Sequence, residues 1–216
     1  MENKRESFEV KRLVGMATFA ALAYAVTFVF RIPVSFLTFD AKDAVLTIAA
    51  FIYGPVSAII MSFIPAFIEF ATISDTSFWG LLMNFASSAC FSFTAAVIYK
   101  YRRSFNGAII GLYTAVASTT VLMVVLNILV TPIYMKVPRE AVIELLPKLL
   151  LPFNFAKTLM NAALAMLLYK PISIAMKRAK LIKGKIDTGF NKASIITIVA
   201  GALTLTAAVV IFLIIR

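Results

Sequence analysis

Apolar residues fall in seven blocks along this chain, at positions 13–30, 44–53, 56–73, 78–99, 107–131, 149–169 and 193–215. About 20 apolar residues are needed to cross a bilayer as a helix, and five of the blocks have that length as they stand. The block 13–30 reaches it with a small extension at its ends. The block 44–53 is too short to span alone, which predicts a half-length helix or a segment shielded by its neighbours. Between it and the next block stands Tyr53-Gly54-Pro55, a minimal helix–helix corner in which proline opens the following helix. Three other connections are longer, at 31–43, 74–77 with its flanks, and 132–152. The last contains Pro132, Pro138, Pro147 and Pro152 and predicts a short helix over 139–146. The pattern predicts an all-α polytopic membrane protein. Six core helices with a short second one occupy residues 1–172, a basic linker 173–192, and an extra seventh C-terminal transmembrane helix 193–216.

Composition agrees with this class. The chain is 62% hydrophobic and only 14% charged, with a mean hydropathy of +0.95, where a soluble domain of 216 residues would use far more charge. One cysteine and no histidine leave no disulfide framework, and no metal site is expected. Lys4, Arg5, Lys11 and Arg12 resemble the start of a signal peptide, but further membrane segments follow at once, so 13–30 is expected to remain as a span.

Charge sets the expected topology. With the N-terminus inside, 14 of the 21 basic residues are cytoplasmic, including Lys100, Arg102, Arg103, Lys170, Lys177, Arg178, Lys180, Lys183, Lys185 and Lys192. Asp40, Asp43, Glu69, Asp75, Glu140 and Glu144 lie toward the outside. The positive-inside rule supports this orientation, and the net charge of +11 is mostly that asymmetry plus attraction to anionic lipid. No basic, aromatic-interleaved soluble module exists, so a nucleic-acid partner is excluded.

Two stripes stand out from the apolar background. Asn154, Lys157 and Asn161, at spacings of three, four and seven, share one helix face. A lysine among lipid tails costs about 2.5–3.5 kcal/mol on insertion scales, so Lys157 should face protein, water or a ligand. Ala17, Ala21 and Ala25 recur every four residues on the first helix, with Ala20 and Ala23 alongside. Such small residues admit the close approach of another helix, from this chain or a partner. Gly107-x-x-x-Gly111 is a second such stripe, read as internal packing.

Six segments follow one another along the chain: Leu37-Thr38-Phe39-Asp40-Ala41-Lys42-Asp43, Phe51-Ile52-Tyr53-Gly54-Pro55-Val56-Ser57-Ala58, Met83-Asn84-Phe85-Ala86-Ser87, Ala96-Val97-Ile98-Tyr99-Lys100, Leu126-Asn127 followed by Pro132-Ile133-Tyr134, and Pro152-Phe153-Asn154-Phe155-Ala156-Lys157. In this order they resemble the substrate-binding (S) subunits of energy-coupling-factor vitamin transporters, above all the riboflavin-binding branch. The resemblance covers about residues 10–172. It implies a vitamin pocket on the outer side, built from the first loop and helices four to six. Carried over by motif, Asn127, Asn154 and Lys157 would contact a flavin, whose alternating carbonyls and N–H suit amides and an ammonium.

Other assignments stay open within the resemblance. Thr38, Asp40 and Asp43 would bind ribityl hydroxyls, or the aspartates would cap the second helix. Phe36, Phe39 and Trp79 would form a stacking wall or anchor at the membrane boundary. Glu69 would pair with Lys157, touch the ligand or reach the headgroups. The alanine stripe would dock the transmembrane coupling (T) subunit. Two departures, Ala44-Val45 and Pro65-Ala66, leave another water-soluble vitamin as the alternative ligand.

Energy must come from elsewhere, since Gly184-Lys185-Ile186 lacks the first glycine and the hydroxyl of a phosphate loop. The resemblance therefore implies the coupling subunit and two ATPase subunits as partners in the cell membrane. A membrane enzyme would need a nucleophile–base pair, a metal cluster or paired intramembrane carboxylates, none of which is found. An accessory membrane protein would not need the polar stripe.

Overall fold

A computed structural model describes residues 2–73, 77–178 and 192–215. The order is α1 (Glu2–Val29), β1 (Ile32–Val34), β2 (Leu37–Phe39), α2 (Lys42–Tyr53), α3 (Pro55–Thr72), α4 (Ser77–Tyr101), α5 (Phe105–Met135), α6 (Arg139–Leu145), a π-helical turn (Leu146–Leu150), α7 (Leu151–Arg178) and α8 (Lys192–Ile215). Among the described residues, six helical stretches are long and apolar enough to cross a membrane, with α6 and α7 counting as one. Asp75, Lys180, Lys183 and Lys185, and most of the basic linker, lie outside the described residues.

The short helix α2 is the hub of the bundle. Residues 42–50 are buried without interruption, because α1, α3, α4 and α7 pack around it. A half-length helix needs no lipid-facing side when protein covers it all round. Gly54 makes the turn into α3 at φ 96°, a conformation that side chains disfavour, and Pro55 occupies the first turn of α3. Around α2 the core mixes large side chains (Phe19, Leu46, Met61, Phe91, Leu112) with many alanines. A Cβ added at Gly111 would stand 2.8 Å from the Ala95 carbonyl oxygen, so this glycine sets how closely α5 approaches α4.

The connections differ from expectation in two places. Residues 31–43 hold a β-hairpin, with Ile32 opposite Phe39, Pro33 opposite Thr38 and Val34 opposite Leu37. Ser35 takes the left-handed turn position at φ 55°. The stretch 132–152 is mostly helical: α5 runs through Pro132 to Met135, and α6 passes through the π-helical turn into α7. Pro132 falls in the last turn of α5, where its carbonyl accepts from Val137 N, so the helix ends soon after it. Pro147 has no N–H to give the preceding turn, and the helix widens around it without stopping.

The helix α8 lies along α7 and presents one narrow face to the bundle: Gly201, Thr204, Ala208 and Phe212, at spacings of three, four and four, are buried. Leu203, Val210 and Leu213 point away from it.

Candidate functional site

The hairpin, Asp40 just before α2, and the hairpin-side ends of α1, α3, α4, α5 and α7 line a cavity of about 650 Å³. That lies within the ~300–1,000 Å³ usual for small-molecule sites. Its polar lining residues include Thr38, Asp40, Glu69, Asn84, Ser87, Asn154 and Lys157, and its apolar and aromatic ones Phe36, Met83, Met123, Tyr134 and Phe153.

Asp40 is the organising residue. Lys157 Nζ donates to Asp40 Oδ2 at 2.7 Å and to the Thr38 carbonyl at 3.2 Å, so one ammonium clasps both sides of Phe39. Lys42 N donates to Asp40 Oδ1 at 3.3 Å, and Lys42 Nζ stands 3.8 Å from Oδ2. Burial alone would push the Asp40 carboxyl up, but the Lys157 charge and then the Lys42 charge outweigh it and hold the group below the usual carboxylate range. Lys42 is itself fully buried and donates from Nζ to Glu69 Oε1 at 2.6 Å. Asn84 Nδ2 reaches the other Glu69 oxygen at 3.2 Å. The result is a relay of charges, Lys157–Asp40–Lys42–Glu69, running from α7 across α2 to α3.

Asn161 ties this relay to the backbone. Its Nδ2 donates to the Asp40 carbonyl at 2.9 Å, and its Oδ1 accepts from Ala44 N at 2.8 Å. The residue before α2 is Ala41, which has no side chain to cap with, so α7 supplies the cap from 117 residues away. Asp43, in the first turn of α2, accepts from the Ser88 hydroxyl.

The residues expected at the site divide clearly. Thr38, Asp40, Glu69, Asn154 and Lys157 meet at the cavity. Glu69 pairs with Lys42, not Lys157, and is buried within the protein. Asp43 lies behind the wall, in the helix interior. Asn127 is fully buried and outside the lining residues: its Nδ2 donates to the Met123 carbonyl at 2.6 Å, and Thr131 Oγ1 donates to its Oδ1 at 3.0 Å. Asn154 donates to the Leu150 carbonyl at 2.7 Å, at the end of the π-helical turn that leads into α7. Phe36 faces the cavity and meets Tyr134 edge-on at 6.3 Å, whereas Phe39 turns its ring away and Trp79 packs on Phe78. Ala17, Ala21 and Ala25 are exposed on α1, while Ala20 and Ala23 face the core.

Lys42 was not singled out by sequence. The signal is present: a lysine opening a largely apolar helix must find carboxylates, and Asp40 and Glu69 are acids of the same end. Tyr134 and Asn84 appeared only as parts of longer matching segments.

A family model described as the substrate-specific component of ECF transporters matches residues 11–173. The riboflavin transporter RibU of Staphylococcus aureus (strain TCH60) is 31% identical over 179 residues, 78% of this chain and 93% of that protein. A solved S component of a bacterial ECF transporter superposes with a TM-score of 0.67 at 29% identity, covering 79% of this chain and 99% of that one. The family match ends before α8 begins.

Proposed function

The chain belongs to the family of substrate-specific components of ECF transporters, a multi-pass membrane protein and not an enzyme, and from that premise we propose that it captures riboflavin or a closely related flavin in the cavity beneath the hairpin. The observation that carries this reading is the mixed lining of the cavity. Asn84, Asn154 and Lys157 contribute amides and an ammonium to it, and Phe36, Tyr134 and Phe153 contribute rings. A flavin calls for both: it has a planar ring to stack, and an edge of carbonyls and N–H to hydrogen-bond. The similarity to a riboflavin transporter supports the same ligand.

The distribution of positive charge supports an outward-facing pocket end and a cytoplasmic N-terminus in a cell-membrane protein. Capture then occurs at the outer face, and release inside requires a coupling (T) subunit and two ATPase subunits, since the chain carries no phosphate loop of its own. The exposed alanines of α1, Ala17, Ala21 and Ala25, offer the close-packing face such a membrane partner would use. The reading is tested by titrating the purified protein with riboflavin and following flavin fluorescence. Saturable quenching supports it; a protein that leaves the fluorescence unchanged refutes the flavin assignment. The departures at Ala44-Val45 and Pro65-Ala66 favour, as the second reading, another water-soluble vitamin, which a panel of such compounds would then reveal.

A further inference from the structure

The hairpin that roofs the cavity is braced from behind by the helix that lies outside the family match. The Phe39 ring, turned away from the cavity, meets the Phe212 ring of α8 at 4.8 Å between centroids and the Phe153 ring of α7 at 5.9 Å. Val34, Ala156 and the half-buried Ile211 and Ile215 complete this apolar cluster, so the hairpin, α7 and α8 all contribute to it. Phe39 is the residue between Thr38 and Asp40, the two groups that Lys157 holds. A strand pinned by its outer side chain presents both neighbours inward, because successive strand side chains point to opposite faces.

The helix α8 is itself fixed in place further along its length. Tyr113 of α5 and Thr204 share a hydrogen bond at 2.7 Å, and a Cβ added at Gly201 would stand 3.0 Å from the Leu167 side chain of α7. A helix held at Gly201, Thr204 and Ala208 delivers Phe212 to the same spot behind the hairpin.

We propose that α8 is a strut for the binding site and that Phe212 is a positioning residue: by backing Phe39 it holds the hairpin closed over the cavity and slows ligand escape. The ligand part of this inference rests on the flavin reading above; the hairpin part does not. Escape needs the hairpin to lift, and lifting breaks the Phe39–Phe212 contact, while entry into an already open site does not form it first. Loss of the ring therefore acts on the dissociation rate.

The test uses the full chain reconstituted in lipid nanodiscs, with Phe212→Ala, the conservative Phe212→Leu, and Leu213→Ala on the lipid-facing side of α8 as control. Hydrogen exchange of the hairpin amides, measured without ligand, is expected to speed up in F212A, to recover largely in F212L, and to stay at the wild-type rate in L213A. Riboflavin dissociation from F212A is expected to be about ten-fold faster, on the scale of a lost aromatic pair, with the association rate little changed. Unchanged hairpin exchange in F212A overturns the strut. Faster exchange with an unchanged dissociation rate overturns the role in ligand retention. Should F212A fail to insert, F212L carries the test, and wild-type exchange and dissociation rates in that variant overturn the proposal. Wild-type protein that does not bind riboflavin refutes the flavin reading, and hairpin exchange alone then decides the strut.

Discussion

Lys157 and Asp40, 117 residues apart, join α7 to the loop before α2 through a 2.7 Å ion pair at the cavity wall. Each partner needs the other: the lysine sits where lipid would penalise it, and the carboxylate is buried among helices. Breaking such a pair by removing one member costs about 3–5 kcal/mol, mainly because the other charge stays buried. Lys157→Met is therefore expected to lower riboflavin affinity by at least about ten-fold, while membrane insertion stays normal. A variant that inserts and binds as tightly as wild type would show that the pair with Asp40 braces the fold and does not serve the ligand.

The same pair sets a pH dependence. The Asp40 carboxyl lies below its ordinary value of 3.8 in the folded protein, so the folded state holds this proton less tightly than the unfolded chain does. Its contribution to stability is then fully present above about pH 3.8 and is lost as pH falls through the lower folded value. Thermal unfolding in detergent, followed from pH 6 downward, should show a decline below pH 4 that Asp40→Asn weakens. An identical decline in that variant would assign the acid sensitivity to other carboxylates.

Asn161 predicts a different kind of defect. It closes the open N-terminus of α2 and holds the Asp40 carbonyl, yet it is not among the cavity-lining residues. Asn161→Ala leaves a buried N–H and a buried carbonyl without this partner, each worth about 1–3 kcal/mol. A clear fall in unfolding temperature is expected, with affinity reduced less than in Lys157→Met. Affinity lost to the same degree with unfolding temperature unchanged would place Asn161 in direct contact with ligand.

How far the sequence could lead depended on the range over which each feature is determined. The helical blocks were legible because lipid demands long apolar runs, and the half-length of α2 because its run is too short for any other fate. The Gly54-Pro55 corner is local backbone chemistry and was read directly. The hairpin was not: each strand has three residues, too few for an alternating pattern, and Pro33 sits inside the first. Pro132 and Pro147 pointed to a loop, but proline in a last turn or beside a π-helical turn interrupts a helix only partly. Asn161 illustrates the remaining gap. Its place on the polar face was evident, but its partner was the bare start of a helix more than a hundred residues earlier. The choice between Lys157 and Lys42 for Glu69 likewise depended on how α2 and α3 pack, which no single segment encodes.

Ala17, Ala21 and Ala25 form an exposed small-residue stripe on α1, whose other face, through Phe19, Ala20 and Ala23, is buried in the bundle. A bulky side chain on the outer stripe should leave the pocket untouched, since no residue of the stripe lines the cavity. It should, however, hold a partner helix away by several ångströms, and close packing is the main source of helix association in lipid. Ala21→Trp is expected to abolish riboflavin uptake by cells expressing the full set of transporter subunits, while riboflavin binding to the purified variant stays at the wild-type level. Both quantities are needed. Loss of uptake together with loss of binding would mean that the tryptophan disturbs the bundle, and uptake at the wild-type rate would move the docking face elsewhere on the molecule.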